Sequence, residues 1–149
     1  MVCFFSRLVP KLGRHHPTDV CLKFAILHHR GCAGTRFHYR IDPDGKCRAA
    51  LPESEPGEHP NCLGILLDAD ADAAAPSDAQ MDALRTLLLQ LKVRYPDIQM
   101  GGHRQIRGED TTCPGKQFPL TAMREWAGHD LVVERDALLQ DIVDAQYRP

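Results

Sequence analysis

Three features that would place a protein in a broad class are missing from this sequence. Charge of one sign is not in excess, since the formal net charge is −2 over 149 residues, so a nucleic-acid partner is not expected. No apolar run approaches the roughly 18 residues that span a bilayer, and no membrane partner is expected. The opening residues, Met1 to Arg7, are too short and too soon interrupted for a secretory signal. We therefore expect a cytoplasmic protein, with export by another route left open.

The composition is that of an ordinary globular protein, with 43% hydrophobic and 26% charged residues. A chain of this length can form one domain and bury roughly 68–70% of its unfolded surface. We expect a single domain over residues 1–149, acting as a monomer. Within it, residues 1–19 would be an N-terminal extension, and residues 128–149 a C-terminal helical extension.

Strands and helices are predicted to alternate along the chain. The clearest helix begins at Ser77, which forms an S-x-x-Q capping box with Gln80. Apolar residues then recur at helical spacing until Pro96 ends the helix. Two further helices are predicted over residues 120–127 and 133–146. Short apolar runs predict strands over residues 22–29, 37–41, 63–67 and 98–102. The order indicates an α/β fold with a single mixed β-sheet flanked by helices.

The six cysteines are expected to be free thiols, because no signal peptide or compact framework spacing accompanies them. Most are expected to be buried as small hydrophobic side chains. Cys113 is different, because it lies among polar residues and glycine, ten residues after His103. Imidazole and thiolate are both good zinc ligands. A third protein ligand would leave the fourth tetrahedral position open for water, as in catalytic zinc sites.

The segment Gly102-His103-Arg104 followed by Thr112-Cys113-Pro114-Gly115 resembles the carboxyl-terminal signature of the zinc-dependent N-acetylmuramoyl-L-alanine amidases. That family includes the phage lysozyme-type amidases and is similar in fold to the peptidoglycan recognition proteins. Other segments resemble the family's second strand and turn, its substrate loop and central strand, and its long helix. These segments occur in the family's order, and the resemblance covers about residues 24–126.

The resemblance implies a Zn²⁺ ion held by His28, His103 and Cys113. It implies hydrolysis of the amide between N-acetylmuramic acid and L-alanine, with peptidoglycan or muropeptides as partners. Thr111 could hydrogen-bond the oxyanion of the reaction. Many members carry a tyrosine, with its hydroxyl near the metal, where this chain has Phe37.

The remaining catalytic and substrate contacts are predicted from position. Tyr39 lies two residues after Phe37, on the same strand face, and is the candidate to supply the missing hydroxyl. His59 and Asn61, in a polar loop, and Phe37 are candidates for contact with the substrate.

Two alternatives remain open at this point. The first concerns the first zinc ligand: His29 could replace His28, or residues 18–29 could form a helix capped by Thr18. A helix there would leave the site incomplete, with His15 or His16 as substitutes only by an unusual path. The second alternative is a catalytically impaired peptidoglycan-binding module of the same fold. The short connection from His28 to Phe37 favours it, since family members place a helix there.

Overall fold

A computed structural model describes residues 21–147 of the chain. Within this range lie five strands and three α-helices, with a 3-10 turn at His103–Gln105. The strands are β1 Phe24–His29, β2 Tyr39–Ile41, β3 Cys47–Ala49, β4 Cys62–Leu67 and β5 Gln99–Gly102. The helices are α1 Asp78–Arg94, α2 Leu120–Gly128 and α3 Asp130–Gln146.

The strands form one mixed sheet in the order β3-β2-β4-β1-β5. All neighbours are parallel except β3, which runs antiparallel to β2. The predicted α/β fold with a single mixed sheet is therefore confirmed. Strand β1 lies next to the edge strand β5 and is paired on both sides, with β4 and β5. Parallel neighbours end at the same edge of the sheet, and this edge carries the polar side chains discussed below.

The two faces of the sheet differ because side chains alternate along a strand. On β1, Ala25 and Leu27 belong to the main hydrophobic core, which α1 covers with Leu84, Leu88 and Leu91. Ile26 and His28 alternate with these residues and therefore point to the opposite face. None of these β1 residues is more than 5% exposed. We call the first side the helix-covered face and the second the loop-covered face.

Helix α1 starts as the sequence predicts. Ser77 Oγ accepts a hydrogen bond from the Gln80 amide at 3.1 Å, and Gln80 Oε1 accepts one from the Ser77 amide at 3.2 Å. The buried Gln80 also donates through Nε2 to the carbonyls of Ile41 and Asp68, at 3.3 and 3.1 Å. One glutamine thus caps the helix and ties its first turn to the ends of β2 and β4.

Three features differ from the predictions. Strand β3 was not predicted, because its three residues Cys47–Ala49 carry no apolar alternation. Helix α3 begins at Asp130, three residues earlier than the sequence indicated. The helix proposed as an alternative over residues 18–29 is wrong from Phe24 onward, since Phe24–His29 is a strand. The predicted N-terminal extension over residues 1–19, with its two histidines, lies outside the described residues.

Helix α3 occupies most of the predicted C-terminal extension, from Asp130 to Gln146. Helix α3 packs against α1 and α2, with Leu131 buried in the main core. Much of its remaining surface is exposed, including Val133 and Val143. Among residues 21–147, no helix has the length and apolar character needed to cross a membrane.

Candidate metal site and cleft

Four potential metal ligands meet where β1 and β5 end. One ligand atom from each of His28, Cys32, His103 and Cys113 lies within 4.8 Å of the others. His28 is the penultimate residue of β1, and His103 directly follows β5. Cys113 comes from the loop after the 3-10 turn. The three predicted ligands are thus brought together, although their binding of a metal stays a prediction.

The alternation of β1 explains why His28, not His29, enters this cluster. His28 lies on the loop-covered face with Ile26, whereas His29 points the other way, toward the loop that follows β4. There the His29 Nδ1 accepts a hydrogen bond from the Ala71 amide at 3.2 Å. His29 is grouped instead with Asp70 and Asp72. The structure therefore favours His28 for the cluster.

The separations between ligand atoms suit a tetrahedral zinc ion. Zn–N distances near 2.0–2.1 Å and Zn–S distances near 2.3 Å place nitrogen and sulfur about 3.5 Å apart across a tetrahedral edge. Cys32 Sγ lies 3.4 Å from Nδ1 of both His28 and His103. Cys113 Sγ lies 3.7 Å from His28 Nδ1. Two imidazoles and two thiols are also the donor types that zinc prefers.

Burial favours the neutral forms of His28 and Cys113 when no cation is bound. It lowers the pKa of His28 to about 3, with a further contribution from repulsion by His103 and His59. Burial likewise raises the pKa of the Cys113 thiol to about 12, and the neighbouring Cys32 adds to the shift. A divalent metal would reverse the second effect, because a coordinating thiol is deprotonated outright. A neutral imidazole is already the form that binds metal.

The loop that carries Cys113 is fixed by main-chain contacts. The Arg104 amide donates to the Cys113 carbonyl at 2.8 Å. Gly115 has a φ of 110°, and a Cβ there would lie 2.5 Å from Ala71, so only glycine fits. Thr111 Oγ1 accepts a hydrogen bond from the Cys113 amide at 3.1 Å. Thr111 therefore helps to position Cys113, and its catalytic role stays a prediction.

Tyr39 makes its hydrogen bonds away from the ligand cluster. Its hydroxyl donates to Glu53 and accepts from Arg94 Nη2 at 3.3 Å. Burial and the Glu53 carboxylate raise the pKa of Tyr39 to about 12. Tyr95 donates to the same carboxylate. The Tyr39 hydroxyl is thus engaged beside the end of α1, and its predicted catalytic role has no support from these contacts.

Phe37 packs against the cluster. Its ring centroid lies 4.8 Å from that of His28, with the planes tilted by 48°. Phe37 is 8% exposed. Gly64 of β4 makes room for it, because a Cβ at Gly64 would lie 3.3 Å from Phe37 Cδ1. Phe37 therefore forms a wall beside a candidate ligand, and the predicted contact with substrate stays a prediction.

A cleft of about 570 Å³ runs along β1 and β5, from Phe24 and Gln99, where these strands begin, to Gly102 beside the cluster. His59 and Asn61, both predicted to bind substrate, line it together with Ile26 and Gln105. Lys23 and Arg124 also line the cleft, and none of its lining residues is acidic. Such a surface suits a substrate that carries carboxylates.

The loop before β4 reaches the cleft because His38 anchors it. The buried His38 Nδ1 accepts a hydrogen bond from the Gly64 amide at 2.9 Å, so its Nε2 donates to the Glu55 carbonyl at 2.8 Å. The anchored loop places the His59 ring 5.8 Å from the His28 ring, nearly parallel, and 5.0 Å from the His103 ring. His59 thus stands between the cleft and the ligand cluster.

Three buried nitrogens at this site have no hydrogen-bond partner, namely Nε2 of His28, His59 and His103. Glu109 Oε2 lies 3.4 Å from His103 Nε2, within ion-pair distance but without hydrogen-bond alignment. A carboxylate behind a metal-bound histidine commonly orients the ring. Buried polar atoms without partners are unusual in a stable core and point to a function for this cluster.

Cys32 was missed by sequence reasoning. Cys21, Cys32, Cys62 and Cys113 are free thiols, as expected, but the expectation that most cysteines are buried is wrong, since among those described only Cys113 is buried. A usable signal was present, because Cys32 follows His28 by four residues in a connection too short for a helix. That signal was overlooked because most cysteines were expected to be buried as small hydrophobic side chains.

Comparison with known proteins identifies the family. Residues 12–116 match the N-acetylmuramoyl-L-alanine amidase family. The match covers more than half of the chain and includes the whole sheet and the ligand cluster. This chain belongs to the N-acetylmuramoyl-L-alanine amidase family.

Individual relatives agree with this assignment. The endolysin of Klebsiella phage KP32 is 29% identical over 113 residues, which span 69% of this chain and 71% of the endolysin. The amidase LysC of Clostridium intestinale has a similar structure, with a TM-score of 0.62 at 23% identity, covering 70% of this chain and 84% of LysC. The Drosophila peptidoglycan recognition protein SD gives 0.59 at 20% identity, covering 70% and 80%. The two structural likenesses bear on the fold alone.

Proposed function

We propose that this protein is a zinc-dependent hydrolase of the amide between N-acetylmuramic acid and L-alanine, in peptidoglycan or its fragments. The observation that carries the proposal is the meeting of His28, His103 and Cys113 beside an open cleft. Membership of the amidase family supports the reaction. In open sheets of this kind, ligands bind beyond the carboxyl ends of parallel strands, where this cluster lies.

The residues present fit a zinc ion. His28 and His103 offer Nδ1 atoms, and Cys113 offers a buried thiol at a separation that a tetrahedral ion can bridge. When bound, zinc supplies Lewis acidity and lowers the pKa of water to about 7, which makes amide hydrolysis feasible at neutral pH.

The chain itself contributes binding and orientation. The Lys23 and Arg124 side chains at the cleft can pair with carboxylates of a stem peptide. His59, which lines the cleft and lies near His103, would contact the substrate close to the bond to be cleaved. Thr111 and Gly115 hold Cys113 in a fixed position, and Phe37 excludes water from one side of His28.

The test is digestion of purified cell walls. Protein with about one equivalent of zinc should release stem peptides, and chelation followed by Zn²⁺ should abolish and then restore release. A zinc-loaded protein that binds cell walls but releases no peptide would reject the proposal.

A second candidate is a peptidoglycan-binding module without catalysis. It is favoured by Phe37, which carries no hydroxyl beside His28, and by the engagement of the Tyr39 hydroxyl with Glu53. Structures of peptidoglycan recognition proteins are among the structural relatives. This candidate predicts cell-wall binding that survives chelation and is never followed by cleavage. Zinc-dependent turnover would exclude it.

A further inference from the structure

We propose that Cys32 is a fourth metal ligand, which completes a closed site of two histidines and two cysteines. The inference rests on the proposed zinc dependence and adds a ligand that the amidase resemblance does not supply. It also implies a resting state in which no water is bound to the zinc ion. A zinc ion with four protein ligands has no open position for water, which is the usual condition of a structural site.

The distances support Cys32 as a ligand at least as well as they support Cys113. Its Sγ is 3.4 Å from Nδ1 of His28 and 3.4 Å from Nδ1 of His103. Both values match the roughly 3.5 Å expected between nitrogen and sulfur on one tetrahedral zinc ion. The corresponding distance from Cys113 Sγ to His28 Nδ1 is 3.7 Å, which is no closer to the expected value.

Two hydrogen bonds would require the Cys32 thiol to donate to one imidazole and to accept, as a weak acceptor, from the other. A shared cation explains the same two contacts together with the approach of Cys113. Equal approach to two ring nitrogens is what a cation shared by the three groups would produce. The same two nitrogens face Cys113 as well, within the 4.8 Å that encloses all four ligand atoms.

The backbone holds Cys32 in this position. The Cys32 amide donates to the His29 carbonyl at 3.0 Å, which forms a tight turn directly after β1. Gly31 permits that turn, because a Cβ there would lie 2.9 Å from His29 Cε1. Further along, the amides of Thr35 and Arg36 both donate to Glu58 Oε1 at 2.6 Å. The connection between β1 and β2 is thus fixed at both ends.

Of the two cysteines, Cys32 is the one that can leave the metal. Cys113 is fully buried, whereas Cys32 is only half-buried and sits in a connection without helix or strand. Release of the Glu58 contacts would allow that connection to move outward. The position vacated by the Cys32 thiolate would then be open to water, and the three remaining ligands would form the catalytic type of site.

The test counts thiolates on the metal. Wild-type protein and the variants Cys32→Ala and Cys113→Ala are loaded with Co²⁺ under reductant, and thiolate-to-cobalt charge-transfer absorption is recorded. We expect two thiolates in the wild type and one in each variant. Cys21→Ala, which removes an exposed thiol, is the matched control and should keep both. Cobalt affinity of Cys32→Ala should fall by more than the roughly 10–100-fold typical of losing an outer-shell partner.

The outcomes separate this inference from the proposed function. If the wild type shows one thiolate and Cys32→Ala leaves the spectrum unchanged, Cys32 is not a ligand, yet a three-ligand amidase site stands. If the wild type binds no cobalt, both proposals fail. If Cys32→Ala does not fold, X-ray absorption of the zinc-loaded wild type decides, with two sulfurs supporting the inference and one overturning it. With metal saturating, Cys32→Ala should also cleave cell walls several-fold faster.

Discussion

The two faces of the sheet use the same strands for different purposes. On the helix-covered face, Leu27 and Ile65 pack against α1 in an apolar core. On the loop-covered face, Ile26, Gly64 and His28 meet polar loops, a cleft and a cluster of potential metal ligands. Partnerless nitrogens are concentrated on the second face. We therefore expect substitutions on the helix-covered face to lower the free energy of unfolding without affecting zinc binding. Substitutions on the loop-covered face should do the reverse.

The largest effect should come from removing a candidate ligand. His103→Ala takes away an Nδ1 donor of the cluster, so zinc content and peptide release should fall to background. The free energy of unfolding of the metal-free protein should change little, because His103 lies outside the main core. Metal analysis, cell-wall digestion and denaturant titration measure the three quantities. His129→Ala, at an exposed histidine, is the control. An active His103→Ala variant would contradict the site.

The reverse experiment shortens a core side chain on the helix-covered face. Leu84 is fully buried on α1, and Leu84→Ala should lower the free energy of unfolding by about 2–5 kcal/mol. Zinc content per folded molecule should be unchanged. Val133→Ala, at a 56% exposed position of α3, should change stability by less than about 0.5 kcal/mol. Loss of zinc from folded Leu84→Ala would show that the two faces are not independent.

A smaller effect is expected behind the ligand cluster. Glu109 lies 3.4 Å from His103 Nε2 and is itself half exposed. Glu109→Gln should weaken zinc binding toward the lower end of the 10–100-fold range for outer-shell partners, about 10-fold. Competition with a chromophoric chelator measures this change. Glu125→Gln, at an exposed carboxyl on α2, serves as control, and equal affinities for the two variants would remove Glu109 from the site.

The smallest effect concerns an ion pair at the rim of the sheet. Hydrogen bonds from Arg30 and Arg40 lower the pKa of Asp68 below its ordinary value. Because the folded-state pKa is depressed, the stabilisation is fully present above about pH 4. It is lost as the pH falls through the lowered pKa. The arginines are half exposed, so Asp68→Asn should cost less than about 1 kcal/mol at pH 7.

Denaturant titration of the wild type and Asp68→Asn between pH 7 and pH 3 checks this prediction. The difference between the two proteins should shrink as the solution becomes acidic. A difference that grows toward low pH would have the wrong sign for a depressed carboxyl pKa.

The same contrast explains what could be predicted from sequence. The helix-covered face was predictable, because the Ser77–Gln80 capping box and the apolar spacing that follows predict α1. His103 and Cys113 were recognisable as candidate ligands from their motif. Strand β3 could not be predicted, since its pairing with β2 depends on tertiary position. The four-residue spacing of Cys32 from His28 was a usable signal, but the approach of Cys32 to His103 depends on the turn after β1 and is visible only in the fold.

The central claim is that the cluster at the ends of β1 and β5 holds a zinc ion that serves amide hydrolysis. The most direct measurement is mass spectrometry of purified cell walls treated with zinc-loaded and metal-free protein. The account predicts stem peptides with a new free amino group on L-alanine, released only by the zinc-loaded protein. Zinc-loaded, folded protein that produces no free L-alanine amine would contradict it.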